Sequence, residues 1–263
     1  MKIQFHKYQG TGNDFIMIDQ RKTTYIPTDA IKLIENLCNR RYGIGADGLI
    51  LLENAKNSDF RMVYFNADGR EGSMCGNGGR CIVSFAKSLD IFQSKTVFDA
   101  IDGIHYGNVM ENGTISIKMK DVDELKTIDN EVFELNTGSP HFVRYVAALP
   151  HDVKSAGAAI RYSNKYKDEG INVNFVFEKD KNQLFVATYE RGVEDETYSC
   201  GTGVTAAALS YAHKHNLIGK NKIYTSMKGG DLMVSFNVES SFKFADIWLT
   251  GPAQKVFEGT INL

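Results

Sequence analysis

Two cysteines in this chain stand in the same short setting. Cys75 opens Cys-Gly-Asn-Gly (75–78) and Cys200 opens Cys-Gly-Thr-Gly (200–203), about half the chain apart. A glycine-rich turn that starts a helix leaves backbone N–H groups unpaired at the positive end of the helix dipole, which makes it a site for an anion such as a carboxylate. A thiol on the same turn feels the same field, so its pKa of about 8.5 falls toward neutrality. One such turn is most simply a tight strand-to-helix connection with an idle cysteine. Two copies in matched surroundings argue instead for two activated thiols beside a bound anion.

The surroundings do match. Setting Cys75 on Cys200 without gaps places Arg70-Glu-Gly-Ser-Met-Cys-Gly-Asn-Gly78 over Asp195-Glu-Thr-Tyr-Ser-Cys-Gly-Thr-Gly203, with Glu71 on Glu196. Strand-like runs, Phe60 to Phe65 and Leu184 to Tyr189, precede the two turns. Helix-like runs follow them, from Arg80 and from Val204, and then alternating runs broken by Gly or Asn, 103–119 and 229–249. Gly12-Asn13-Asp14-Phe15 and Gly138-Ser139-Pro140-His141-Phe142 lie at corresponding places upstream. The pattern reads as an internal duplication, each half an α+β domain that closes a curved, mostly antiparallel sheet around one central helix.

The rest of the composition narrows the partner. Thirty Lys and Arg against 32 Asp and Glu give a net charge of −2, which offers no reason to expect nucleic acid or a membrane surface. A small molecule is the natural partner. The N-terminus, Met-Lys-Ile-Gln-Phe-His-Lys, alternates like a strand and carries no signal-peptide or membrane-spanning run, so a cytoplasmic location is expected. None of the four cysteines forms a Cys-x-x-Cys pair, so reduced thiols are expected and a thiol-disulfide oxidoreductase is disfavoured. Cys38 and Cys81 lie on apolar helix-like faces and read as core.

Other polar residues draw notice by their place. Asn13, Asn66 and Asn172 sit in or beside apolar strand-like runs, where a side-chain amide needs partners. Glu190-Arg191 directly follows an apolar strand, and His141 follows Pro140. Taken singly, each is an ordinary turn residue, strand end or core histidine.

Taken together, the motifs resemble the diaminopimelate epimerase family, pyridoxal-independent amino-acid epimerases. The resembling pieces are Gly10-Thr-Gly-Asn-Asp-Phe15, Gly43-Ile-Gly-Ala-Asp-Gly48, Phe65-Asn-Ala-Asp-Gly69, Met74-Cys-Gly-Asn-Gly78, Asn172-Val-Asn-Phe175, Tyr189-Glu-Arg-Gly192, Ser199-Cys-Gly-Thr-Gly203 and Gly251-Pro-Ala253, in order over nearly the whole chain. The resemblance implies two pseudo-symmetric domains with the active site in the cleft between them, domain closure on the substrate, no cofactor and no metal, and a homodimer. It also implies that the segment after Gly251 returns to the first domain, so the expected domains are residues 1–122 with 254–263, carrying Cys75, and residues 123–253, carrying Cys200.

By the same resemblance, Cys75 and Cys200 are the proton carriers, one thiolate removing the α-proton while the other thiol protonates the opposite face. Backbone N–H groups of Gly76, Asn77, Gly201 and Thr202 hold the carboxylate at the reacting carbon. Asn13, Asn66, Asn172, Glu190 and Arg191 bind the two ammonium groups and the distal carboxylate, and His141 and Glu190 tune the thiols. Family members often carry Asn where this chain has Ser139, so a distal contact there is shortened or bridged by water. Some carry Gln where this chain has Gly48, and that contact is missing.

The activity so implied interconverts LL- and meso-diaminopimelate on the way to lysine and peptidoglycan precursors. An α-C–H is a very weak acid, and without pyridoxal the carbanion character must be stabilised by the two helix N-termini. One cysteine must be ionised while the other is protonated, so the pair titrates as a unit. The rival on the same fold is a proline or hydroxyproline racemase. The long acyclic substrate is favoured because Glu190-Arg191 and the asparagines can recognise a second amino-acid head. A noncatalytic amino-acid-binding protein on this scaffold would have no use for both Cys-Gly-x-Gly turns.

Overall fold

The computed structural model describes residues 2–262. The first repeat runs β1 (Lys2–Gly10), β2 (Asn13–Asp19), α1 (Ile31–Cys38), β3 (Gly48–Glu53), β4 (Phe60–Asn66), β5 (Glu71–Gly72), α2 (Gly76–Ser88), β6 (Lys95–Ala100), β7 (Gly103–Val109), β8 (Ile115–Lys118) and β9 (Leu125–Asp129). The second follows in the same order: β10 (Val132–Asn136), β11 (Pro140–Tyr145), α3 (Val153–Arg161), β12 (Asn172–Asp180), β13 (Gln183–Glu190), β14 (Asp195–Thr197), α4 (Gly201–Lys214), β15 (Gly219–Met227), β16 (Gly230–Ser240), β17 (Lys243–Gly251) and β18 (Gln254–Asn262). The duplication read from the cysteines therefore extends to every element.

Pairing repeats as well. In the first repeat β1–β2, β3–β4, β4–β5, β6–β7 and β7–β8 are antiparallel, and the parallel pairs β2–β3 and β4–β6 are those whose connections contain α1 and α2. The second repeat has the same two parallel pairs, β11–β12 across α3 and β13–β15 across α4. Parallel neighbours need such a crossover, which fixes where the helices go.

The chain divides into two compact units, Met1–Ile117 with Gly251–Leu263, and Lys118–Thr250. The sequence expectation sets these divisions at 122 and 253. β9 follows β8 in the chain but pairs with β10 in the second unit, and β18 follows β17 but pairs with β1 in the first. Each repeat thus gives its last strand to the unit built by the other.

Strand periodicity sorts the core. Phe15, Met17, Ile50 and Leu52 point to one face of the first sheet and pack with Ile82, Val83, Phe85 and Ala86 of α2. Their neighbours Ile16, Ile18, Leu49 and Leu51 point the other way and are covered by Ile34 and Leu37 of α1. Successive side chains alternate faces, so a strand covered on both sides reads as an unbroken apolar run. The second unit repeats this, α4 lying on the face that carries Phe133, Val143 and Val186 and α3 on the face that carries Phe142, Val173 and Phe175.

α4 is buried on every side from Gly203 to Ala212, and Ala206, Ala207 and Ala208 let the sheet close round it. Apolar periodicity marks the two central helices only from Arg80 and Val204, yet both start at the glycine after the cysteine. Cys75 takes the N-cap role and so offsets the poor helix propensity of Gly76, Gly78 and Gly79. Among the described residues no helix is long and apolar enough to cross a membrane.

Candidate active site

Each unit brings a cysteine to the N-terminus of its buried helix by the same route. In the first unit the short strand β5 folds back on β4, Gly72 opposite Tyr64, and the chain then turns into α2 with Cys75 as N-cap (φ −101°, ψ 149°). The Cys75 Sγ, partly exposed, accepts a hydrogen bond from the Gly78 N–H at 3.2 Å. A Cβ at position 78 would lie 3.1 Å from that sulfur, which is why the fourth residue of the motif is glycine.

The Asn77 side chain ties this turn to the first hairpin. Its Nδ2 donates to Asn13 Oδ1 at 2.5 Å, and Asn13 Nδ2 donates in turn to Asp47 Oδ2 at 3.1 Å. Arg40 bonds both Asp47 and Asp14, and Lys7, almost fully buried, pairs with Asp14 at 2.9 Å. Burial would raise the Asp14 pKa, but hydrogen bonds from Arg40 and Lys7 hold it well below the usual carboxylate range. Asn13 is therefore held by a charged network behind it. Asn66 lies at the end of β4, its Oδ1 accepting from Tyr64 Oη at 2.9 Å. A Cβ at position 48 would meet Phe65 O at 2.5 Å and the Tyr64 ring at 2.6 Å. Tyr64 thus fills the space in which a longer residue 48 would start.

In the second unit β14 folds back on β13, Glu196 opposite Tyr189, and leads to Cys200 at the N-cap of α4. Here the sulfur makes no capping bond, and it lies 3.5 Å from Thr202 Oγ1. Thr137 Oγ1 fixes the turn by donating to Thr202 O at 2.8 Å. The Glu190 carboxyl stands at the end of β13, where Thr197 and Cys200 act on it. Burial raises its pKa, and those two neighbours oppose the rise.

His141 is fully buried on β11, and its Nδ1 accepts from Asn174 Nδ2 at 3.0 Å, which puts the proton on Nε2. Asn174 is oriented by its other bonds, donating to Phe142 O and accepting from Thr188 Oγ1. Burial and then the positive charge of Arg191 push the His141 pKa down to about 3, so the ring is neutral at pH 7. The Nε2–H has no partner among the described residues. Ser139 and Asn172 are joined at 2.8 Å, and Asn172 also accepts the Arg191 backbone N–H at 2.9 Å. The Arg191 side chain is exposed, with its guanidinium on Glu169 O.

The expected residues thus gather into two sets. Cys75, Gly76, Asn77 and Asn13 form one, with Asn66 on the neighbouring strand end. Cys200, Gly201, Thr202, Glu190, His141, Ser139, Asn172 and Arg191 form the other. Sequence reading passed over Thr11, Asp47, Asn174, Thr188 and above all Arg80. For Asn174 the signal was present, since it lies two residues from Asn172 on one strand face. Arg80, in Gly79-Arg80-Cys81, is a charge at the head of an apolar helix.

Two helix N-termini with thiols on them suit acid and base work at a carbon that carries a carboxylate. The family model for diaminopimelate epimerase matches residues 5–129 and 133–256, one stretch for each repeat. The chain belongs to this family. A relative from Flavobacterium psychrophilum, named diaminopimelate epimerase, is 54% identical over 260 residues, covering 98% of this chain and 100% of its own. Solved structures share the fold at much lower identity. A PhzF-family phenazine biosynthesis protein from Bacillus anthracis has a TM-score of 0.76 at 15% identity, with full coverage of both chains. A hydroxyproline epimerase from Agrobacterium vitis has 0.69 at 12%, covering 100% of this chain and 93% of its own. Those identities speak for the two-domain α+β fold alone.

Proposed function

We propose that this chain is an isomerase that interconverts LL- and meso-diaminopimelate, with Cys75 and Cys200 as its two proton carriers and no pyridoxal. The observation that carries the reading is the cysteine at the N-terminus of each unit's buried central helix. Membership of the diaminopimelate epimerase family, at 54% identity to a named member, supports the choice of substrate.

The chemistry follows from the turns. Backbone N–H groups of Gly76, Asn77, Gly201 and Thr202 hold the α-carboxylate, and the two helix dipoles stabilise the negative charge that grows as the α-proton leaves. The reaction requires one thiol at each face of that carbon. The thiolate takes the proton, its C–H electron pair stays on carbon, and the opposite thiol delivers its own proton to that pair. The ionised and protonated roles are then exchanged. Glu190, acting with Cys200, and neutral His141 set the balance between the thiols. Asn13, Asn66, Ser139, Asn172, Glu190 and Arg191 bind the ammonium groups and the distal carboxylate.

The enzyme works in the cytoplasm as a homodimer and serves lysine and peptidoglycan precursor synthesis. A hydroxyproline epimerase shares the fold, but its 12% identity carries no substrate across. The test is incubation with LL-diaminopimelate in deuterated water, followed by NMR. Early meso product should carry deuterium at the inverted centre while recovered LL substrate carries little. Mostly protium in first-turnover product would remove the two-thiol mechanism, and turnover of proline but not of diaminopimelate would replace the substrate.

A further inference from the structure

Arg80 is a charge in the wrong place for a structural residue. It lies on the second turn of α2, with none of its side chain exposed to solvent. No carboxylate pairs with it among the described residues. Its guanidinium is satisfied by neutral acceptors only: Gly76 O at 3.1 Å, Thr11 Oγ1 at 2.9 Å, Asn77 Oδ1 at 2.8 Å and Pro252 O at 3.3 Å. An isolated buried cation is expensive, and most proteins that keep one supply a counter-charge. Burial lowers its pKa to about 10, still far above neutrality, so the charge is permanent.

The groups that face it identify the counter-charge. Cys81 and Cys75 are the ionisable groups that act on the guanidinium. Burial pushes the Cys81 thiol up to about 12, so Cys81 stays neutral. From β1, Tyr8 and His6 meet the far half of α2 at Phe85 and Ser88, and from β18, Lys255 and Glu258 act on those two residues rather than on Arg80. From β2, Asp14 is engaged by Lys7 and Arg40. On the β6–β7 side, Asp102 accepts from Met74 N and lies 3.2 Å from His105, with which it can pair. That leaves the partly exposed Cys75 sulfur, already accepting the Gly78 N–H.

The other repeat supplies the comparison. Thr205 occupies the position of Arg80 on α4, equally buried, and its Oγ1 bonds Gly201 O at 2.8 Å as Arg80 bonds Gly76 O. The same carbonyl is capped by a cation in one unit and by a neutral hydroxyl in the other. The Cys200 side chain moreover makes no capping bond of the kind Cys75 makes with Gly78, and the carboxyl that acts with it is Glu190.

We propose that Arg80 is a positioning residue acting through Cys75: its buried, carboxylate-free guanidinium supplies the positive charge that holds Cys75 as the resting thiolate and leaves the proton on Cys200. The assignment rests on the reading of these cysteines as proton carriers. Through Asn77 and Gly76 the same guanidinium also fixes the backbone N–H groups of the turn, so charge and geometry must be separated experimentally.

The test reads the thiols without turnover, by the pH dependence of iodoacetamide alkylation of each cysteine, resolved by peptide mass spectrometry on the full chain. In the unmodified protein Cys75 should titrate at lower pH than Cys200. In Arg80→Met, folded by circular dichroism and urea transition, Cys75 alkylation at pH 7 should fall about tenfold or more while Cys200, coupled to it, loses no reactivity. Arg80→Lys keeps the charge and loses the planar fork, and should restore most of the Cys75 reactivity. An unchanged Cys75 profile in Arg80→Met, or Arg80→Lys behaving like Arg80→Met, overturns the proposal. If Arg80→Met does not fold, the order of the two cysteines in the unmodified protein decides, and Cys200 titrating first overturns it. Absence of diaminopimelate turnover would instead sink the proposed function and leave these profiles as they are.

Discussion

The Asn172 side chain holds the backbone of Arg191. Its Oδ1 accepts the Arg191 N–H at 2.9 Å while its Nδ2 donates to Ser139 Oγ at 2.8 Å and Pro140 O at 3.0 Å. Both amide protons are used inside the protein, so Asn172 sets the spacing between Ser139 and Arg191 and offers a substrate only the second lone pair of its oxygen. Asn172→Ala strands the Arg191 N–H and should cost about 1–3 kcal/mol of stability. It should also raise KM for diaminopimelate. Arg191→Ala, which removes an exposed guanidinium, should raise KM as well, with a stability change within about 0.5 kcal/mol. Urea unfolding beside steady-state kinetics checks both. Equal stability losses in the two variants would contradict this division of roles.

A second expectation concerns Gly203. A Cβ there would lie 2.4 Å from Asn174 Oδ1 and 3.1 Å from Thr188 Oγ1, inside the network that orients His141. Gly203→Ala should cost about 1–3 kcal/mol, since a buried network has no free direction in which to yield. Its counterpart Gly78, also buried, would place a Cβ 3.1 Å from the Cys75 sulfur, 3.3 Å from Ile50 Cδ1 and 3.4 Å from Met62 Cε, looser contacts with side-chain ends that can shift. Gly78→Ala should therefore lose less stability than Gly203→Ala and lose activity through its contact with the sulfur. Chemical denaturation of the two variants side by side measures the difference.

The duplication and the two helices that open at Cys-Gly-x-Gly were legible because repeated motifs and glycine spacing are local signals, whereas the gathering of Asn77 with Asn13 came only with the family resemblance. Strand-to-helix order followed from periodicity alone. The return of β9 and β18 to the other repeat's unit was not legible from pattern, because an alternating strand does not say which edge it will join. Arg80 was missed for a related reason. An arginine beside an apolar helix reads as solvated, and only packing reveals that Thr11, Asn77 and Pro252 enclose it. Asn174 lies within the Asn172-Val-Asn-Phe175 piece, but its bonds to His141 and Thr188 form only through packing.

Stability should depend on His141 as pH falls. Its folded pKa, about 3, lies below the ordinary value of 6.5, so the neutral ring is favoured by folding. The contribution is fully present above pH 6.5 and is lost as pH falls from there toward 3. Over that window it amounts to about 1.4 kcal/mol per pH unit at most. His6, also lowered by burial, adds in the same direction, whereas the depressed carboxylates act only below about pH 4. His141→Gln should therefore unfold with a shallower dependence between pH 6.5 and 5 than the parent. Urea midpoints at those two pH values check it, and parallel slopes would show that His141 is not buried neutral.

The last expectation separates the two thiols. Cys75→Ala and Cys200→Ala should each abolish epimerisation, because inversion needs a donor at the face opposite the base. Serine in either place should leave very little activity, since a hydroxyl on the same helix N-terminus stays protonated where a thiol ionises. Each alanine variant nevertheless keeps one working thiol at one face. That thiol can remove the α-proton pointing at it, exchange with solvent and return deuterium to the same face, with the configuration retained. Only one configuration presents its α-hydrogen to the surviving thiol. In deuterated water, one variant should therefore wash deuterium into LL-diaminopimelate and the other into the D-centre of the meso form, with no interconversion in either. The two thiols would then be shown to serve different faces. Exchange of the same diastereomer by both variants would mean that a single group handles both faces, and two proton carriers would no longer be needed.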